Sequence, residues 1–305
     1  MTEPSVAVAR AYGLGEPLRP SVYAARGELG RIWRLDTTGG TWAVKELLVP
    51  VEEGDVRADF AYQLAAAETG IRLPPPRLTL DGAVLFEGFR VYTWVDLADG
   101  EQVTAAELGA VTAGLHRIGH PADGPVIPWF TDPVGRDRWE ALAEAARSAG
   151  AAWAGALEGV LPELVALDAL VVPPDPGSLT TCHRDVNVEN VRRARDGGVV
   201  VLDWENCGTA RPGWELAKIL AGLSPQDAER AYRAYQDEDG PEVIKEAADF
   251  SMAIAEQGHL LEFYARRALS PQESEENRSR AHARMRTKLG LPLTRARIDA
   301  FLAAR

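Results

Sequence analysis

The stretch His183-Arg184-Asp185-Val186-Asn187-Val188-Glu189-Asn190 constrains this chain more than any other. It places an asparagine five positions after an aspartate. Thirteen residues further on, Asp203 closes the apolar run Val199-Val200-Val201-Leu202. H-R-D-x-x-x-x-N followed by a strand-ending aspartate is a phosphoryl-transfer constellation, and its parts work only if a loop and a strand end converge. Asp185 is then the group that accepts the proton of an attacking hydroxyl. Asn190 and Asp203 supply the oxygen ligands that Mg2+ demands. The competing structural role for Asp185 is a buried acid paired with Arg184. The spacing and the hairpin that follows weigh against that role.

A second element lies upstream. Lys45 ends Ala43-Val44-Lys45 on an expected central strand, where an ammonium group can reach nucleotide phosphates. Most such lysines only snorkel to water, but the catalytic segment downstream favours the functional role. Gly27 and Gly30, in Arg26-Gly27-Glu28-Leu29-Gly30, let backbone amides approach a phosphate or simply turn a hairpin. The sequence contains neither G-x-G-x-x-G at this place nor a Walker P-loop.

Texture divides the chain near residue 95. Residues 1–95 read as a short helix, a hairpin of 31–36 and 41–47 around Thr37-Thr38-Gly39-Gly40, a helix over 56–68, and a second hairpin of 84–86 and 89–94. Residues 96–305 are mostly helical, opening with the capping box Thr104-Ala105-Ala106-Glu107. The expectation is an α+β fold of two lobes: a small antiparallel sheet with one main helix for the nucleotide, and a larger helical lobe for catalysis and acceptor binding.

Composition excludes several alternatives. The net charge of -12 argues against nucleic-acid binding and would favour a cationic partner. Two cysteines, Cys182 and Cys207, are too few for a disulfide framework and point to a reducing cytoplasm. The first residues lack the pattern of a secretory signal, and no apolar run is long enough to span a bilayer. His183 reads as a structural hydrogen-bonder, and both thiols as buried. The basic segment 278–305, with eight Lys/Arg against Asp299, reads as a solvated helix face.

From about Val22 to Leu220 the order of motifs resembles the aminoglycoside phosphotransferase and choline kinase family, the small-molecule branch of the protein-kinase-like fold. The family usually carries H-G-D-x-x-x-x-N, and Arg184 departs from it. Val201-Leu202-Asp203-Trp204-Glu205-Asn206 and Arg211-Pro212-Gly213-Trp214-Glu215-Leu216-Ala217 are similar to its later motifs, with Glu215 in place of aspartate. Leu115-His116 resembles the pair that closes its first helix after the hinge. The resemblance implies ATP (or GTP) bound between the lobes, its base on the backbone of Thr93-Trp94-Val95, and Glu215 bracing the catalytic loop. It also implies a helical acid paired with Lys45, for which Glu53, Asp55 and Asp59 are candidates, because Arg57 falls at the matching position.

Ten residues separate Asp203 from Trp214, and no A-P-E follows. That leaves little platform for a peptide, so a protein kinase is disfavoured. The acceptor is expected to be a small polar alcohol, with an aminoglycoside antibiotic as first choice. Choline, homoserine, amino-sugar or macrolide acceptors are the alternatives, as is a silent nucleotide-binding regulator. A monomer or homodimer is expected, with no membrane partner. Trp129-Phe130-Thr131-Asp132 and the shared face of His259 and Glu262 are candidate pocket walls.

Overall fold

The computed structural model describes residues 5–27 and 30–304. It opens with α1 (Ser5–Ala11), β1 (Val22–Arg26), β2 (Gly30–Thr37), β3 (Gly40–Leu47), α2 (Glu53–Glu68), β4 (Pro76–Arg77) and β5 (Phe89–Thr93). The five strands form one antiparallel sheet in the order β1-β2-β3-β5-β4, so the strand bearing Lys45 is central. Strand period 2 decides its faces. Trp42 and Val44 are buried with Leu35 and Val91 against Val8, Tyr12 and Leu14, while Lys45 points the other way.

The expected second hairpin forms only in part. Residues 84–86 are not a strand; a single bridge joins Phe86 to Phe89. The preceding segment forms a turn, in which Thr79 is bonded to Ala83. Both edges of β5 are already occupied, by β3 and β4.

The second lobe contains β6 (Leu97–Gln102), α3 (Ala105–Arg117), α4 (Arg136–Ser148), α5 (Ala154–Asp168), β7 (Thr180–Cys182), β8 (Val191–Ala194), β9 (Val199–Val201) and β10 (Gly208–Ala210). It continues through α6 (Pro212–Ala221), α7 (Pro225–Asp237), α8 (Ser251–Leu269), α9 (Glu275–Gly290) and α10 (Arg295–Ala303). The fold is bilobal and protein-kinase-like. Thr104 and Glu107 form the expected capping box at the start of α3. β6, β8 and β9 make a small sheet, and β7 pairs with β10. These two pairings hold the catalytic segment between them. Its apolar members Val186, Val191, Val201 and Trp204 pack with Tyr62 of α2 and Leu115 of α3. One core thus ties the catalytic loop to the main helix of the sheet lobe. No helix among the described residues is long and apolar enough to cross a membrane.

Candidate active site

Asp185, Asn190, Asp203 and Lys45 come together in the structure. The amide nitrogen of Asn190 donates to the Asp185 carboxylate at 2.8 Å and to its backbone carbonyl at 2.9 Å. That fixes the amide and leaves its Oδ1 turned away from the loop. The Leu202 amide donates to the Asn190 carbonyl at 2.7 Å, which brings the strand end carrying Asp203 alongside. Asn206, from the turn after Asp203, donates to Asp185 at 3.4 Å. Asp203 itself sits at φ 60°, a left-handed conformation rare outside glycine and kept only where surroundings over-determine it. Asn190 and Asp203 offer hard oxygen donors only, a set that fits Mg2+.

Lys45 meets Asp203 Oδ1 at 2.7 Å and also contacts Glu205. None of the three candidate helical acids contacts it. Glu53 pairs with Arg57 on the surface, Asp55 is exposed, and Asp59 bonds the buried Arg90 at 3.2 Å. Arg90 in turn lies 3.7 Å from Glu205. The acid of α2 therefore reaches the lysine through an Asp59-Arg90-Glu205 chain rather than directly. Burial pulls the Lys45 ammonium down, but Glu205 and Asp203 outweigh it and hold the group charged. Burial pushes the Glu205 carboxyl up. Asp203 is also desolvated, yet its hydrogen bond with Glu205 and the charge of Lys45 keep it below the ordinary carboxylate range.

Gly27 and Gly30 flank the β1–β2 turn, where the Gly27 amide bonds the Gly30 carbonyl at 2.9 Å. Glu28 and Leu29 between them lie outside the described residues. A Cβ on Gly30 would stand 2.9 Å from the Lys45 side chain, so close packing on that lysine requires glycine there; Gly27 has room. At the hinge, the Thr93 amide donates to the Pro75 carbonyl at 2.9 Å. Proline has no N–H to return that bond, which leaves the Thr93 carbonyl without a donor from this neighbour. The Val95 amide makes no backbone bond among the described residues.

The loop is braced from below. Glu215 is fully buried; it accepts from the Arg184 amide, and His116 Nε2 lies 3.0 Å away. The other His116 nitrogen meets the Tyr235 hydroxyl at 3.0 Å. Sequence reasoning singled out Glu215 and Leu115-His116 separately; the structure joins them. Cys182 approaches the same pair, but both His116 nitrogens are already engaged, so the cluster acts as a brace. His183 is buried and neutral, its pKa lowered by burial; it lies 3.1 Å from the Leu202 carbonyl and accepts from the Asp185 amide at 3.3 Å. Both thiols are buried and pushed up by desolvation.

Arg184 replaces a family glycine at φ 62°, where a side chain costs about 1–2 kcal/mol. Its guanidinium bonds the carbonyls of Asn206 and Cys207 and stacks over Phe130 with a 4.9 Å separation. A Cβ on Gly208 would stand 2.8 Å from that guanidinium, so Gly208 makes room for the arginine.

Two charged neighbours of the candidate site residues were not singled out in the sequence. Lys218 of α6 bonds the Arg184 carbonyl, lies 3.8 Å from Asp185 Oδ1 and pairs with Glu256 of α8 at 3.0 Å. Glu205 is the contact of Lys45. The available signal was local in each case: a lone lysine in the apolar run Leu216-Ala217-Lys218-Ile219-Leu220, and a second acid two residues after Asp203. The two candidate pocket walls meet each other. His259 bonds the Asp132 carbonyl at 3.0 Å and stacks on Trp129, while Glu262 is held by Arg138 and Arg266.

Comparison with known proteins bears on the family and the fold. The model of the phosphotransferase enzyme family matches residues 23–250, more than half the chain. The chain belongs to that family and is a small-molecule kinase. Its structure is similar to spectinomycin phosphotransferase APH(9)-Ia in complex with ADP and spectinomycin, at 14% identity, TM-score 0.70, covering 98% of this chain and 96% of that one. An aminoglycoside phosphotransferase from Alicyclobacillus acidocaldarius follows at 17% identity, TM-score 0.61 and coverage of 100% and 96%. Choline kinase LicA from Streptococcus pneumoniae aligns at 16% identity, TM-score 0.55 and coverage of 93% and 98%. No curated protein sequence matches the chain.

Proposed function

We propose that this protein transfers the γ-phosphoryl group of ATP to a hydroxyl of a compact polar molecule. The observation that carries the reading is the convergence of Asp185, Asn190, Asp203 and Lys45 from four separate stretches of sequence. Asp185 takes the proton of the acceptor hydroxyl as its oxygen bonds to the γ-phosphorus; the bond to the β-phosphate oxygen breaks, and ADP leaves. Lys45 grips the phosphates, and Glu205 keeps it charged and aimed. Gly27 and Gly30 let the β1–β2 turn close over them. The Thr93 carbonyl and Val95 amide receive the adenine edge (or guanine, if GTP is used), and residue 95 marks the boundary between the lobes. Asn190 and Asp203 would hold Mg2+, whose chemistry is to neutralise charge developing between the β- and γ-phosphates.

Relatives named for spectinomycin, macrolides, choline and aminopropanol support an alcohol acceptor. The expectation of an aminoglycoside rests on that likeness and on net charge. The silent-regulator alternative drew on a missing partner for Lys45, and Glu205 supplies one. An ADP-release assay across alcohols tests the reading. Asp185→Asn is expected to lower turnover by about 10²–10⁴ while ADP binding stays within about twofold. Full turnover in that variant contradicts the assignment.

A further inference from the structure

The acceptor side of the cleft carries a charge pattern that the proposed chemistry does not use. α9 packs along α8, and its two ends are fixed at different places. At its start, Asn277 receives a 2.9 Å hydrogen bond from Arg26, at the edge of the turn that covers the phosphates. Just beyond its end, Leu293 exchanges two backbone bonds with the Gln257 side chain, next to Glu256. The helix therefore runs about 24 Å, from the Arg26 end of β1 to the neighbourhood of the Lys218-Glu256 pair. Helical spacing puts Asn277, Arg284 and Lys288 on one stripe, beside the buried stripe of Ala281, Met285 and Leu289.

Arg284 and Lys288 are half-buried, and neither makes a hydrogen bond or an ion pair among the described residues. Lys288 has Lys218 and Arg284 as neighbouring cations and Glu256 and Asp185 as neighbouring carboxylates. Glu256 is already matched to Lys218. Burial lowers the Lys288 pKa, and the neighbouring charges of Lys218 and Arg284 push it further down, while Glu256 and Asp185 oppose them. A desolvated cation with no partner is costly unless a ligand supplies the counter-charge.

We infer that the acceptor is an alcohol bearing an anionic group, a carboxylate or a phosphate ester, which Arg284 and Lys288 hold while its hydroxyl lies at Asp185. Such a wall repels a polycationic aminocyclitol. It acts opposite to the negative net charge of the whole protein, because a contact field outweighs a distant screened one. This inference rests on the phosphotransferase reading of the same site.

The test uses the full-length protein with Mg2+ and ATP, and gluconate, glucose 6-phosphate, glucose, choline and spectinomycin as acceptors. Turnover is read by ADP release, and binding in the presence of ADP by calorimetry. Gluconate or glucose 6-phosphate is expected to bind and to react at least tenfold better, in kcat/KM, than glucose, choline or spectinomycin. Whichever of the two wins distinguishes carboxylate from phosphate. Arg284→Gln and Lys288→Gln should each raise KM for that anion at least tenfold. Arg286→Gln, on the opposite exposed face of α9, should leave it unchanged.

Preference for choline or spectinomycin overturns the inference and leaves the kinase reading intact. So does failure of both anions to bind or react at 10 mM, and so does a rise in KM for ATP rather than for the acceptor. Binding of an anion that depends on Arg284 and Lys288, with no ADP release from any alcohol, leaves an anion site but overturns both the acceptor assignment and the kinase reading.

Discussion

Two buried lysines flank the catalytic loop, and they differ in instructive ways. Lys45, on the nucleotide side, contacts the carboxylates of Asp203 and Glu205, and Glu205 connects onward to Arg90 and Asp59. Lys218, on the acceptor side, contacts Glu256 and the Arg184 carbonyl, with Asp185 at 3.8 Å. The first network is closed within the protein: both of its cations, Lys45 and Arg90, have acid partners among Asp59, Asp203 and Glu205, and the excess of acid suits a metal. The second adjoins two cations on α9 that have no protein partner. A site built for a ligand common to a whole family can be self-contained. A site built for one acceptor shows its specificity as unmatched charge.

Removing either lysine leaves a partly buried carboxylate short of its cation and should lower stability, measured by denaturant unfolding, by less than the roughly 3–5 kcal/mol of a fully buried pair, because Glu205 keeps Arg90 and Glu256 is partly solvated. The kinetic signatures should separate the two sides. Lys45→Met should mainly weaken ATP, raising its KM. Lys218→Met should leave ADP affinity intact and lower kcat by about a hundredfold, because Lys218 positions the loop that carries Asp185. If both variants damage only ATP binding, the division into two sides fails.

The double variant Lys218→Met/Glu256→Gln sharpens the point. Neutralising both partners should recover most of the lost stability, since no uncompensated charge stays buried, but should not recover kcat. Recovery of turnover along with stability would reduce Lys218 to a packing residue.

On the nucleotide side the next effect is pH-dependent. Burial pushes the Asp59 carboxyl up to about 7, against the pull of Arg90. The folded state therefore binds a proton that the unfolded chain, with an ordinary aspartate, has lost. Stability contributed by that proton is complete below about pH 4 and disappears as pH rises through 7, at no more than about 1.4 kcal/mol per pH unit. Comparing thermal unfolding of the wild type with Asp59→Asn between pH 5 and 8 should isolate this slope. Parallel curves would contradict it.

The smallest effect concerns Arg184. Arg184→Gly relieves about 1–2 kcal/mol of backbone strain but removes bonds to Asn206 and Cys207 of similar size, so stability should change by no more than about 1 kcal/mol. The loop should loosen, seen as faster amide exchange at Asp185 and Asn187. A large loss of stability would mean that the guanidinium does more than offset its own backbone.

Legibility in the sequence followed the same division. Lys45, Asp185, Asn190 and Asp203 sit in short motifs whose spacing is fixed by one loop or one strand end, so local pattern was enough to propose them and to expect them together. The sheet, its central strand and the turn to helical texture near residue 95 followed from period and turn residues. The 84–86 strand did not form because pairing partners are a tertiary matter: β3 and β4 had already filled both edges of β5. Sequence offered Asp59 to Lys45 but could not reveal that Arg90 intercepts it. Lys218, Glu256 and Lys288 come from three helices spread over seventy residues. Only packing of α6, α8 and α9 brings them together, so that Lys288 of the basic segment lies beside Lys218 and Glu256.

The most direct measurement is ADP affinity with and without Mg2+, by calorimetry, in the wild type, Asp203→Asn and Asp185→Asn. Mg2+ should tighten ADP binding in the wild type and equally in Asp185→Asn, and should have little effect in Asp203→Asn. An unchanged Mg2+ dependence in Asp203→Asn, or its loss in Asp185→Asn, would contradict the placement of metal and nucleotide on one side of the loop and acceptor on the other.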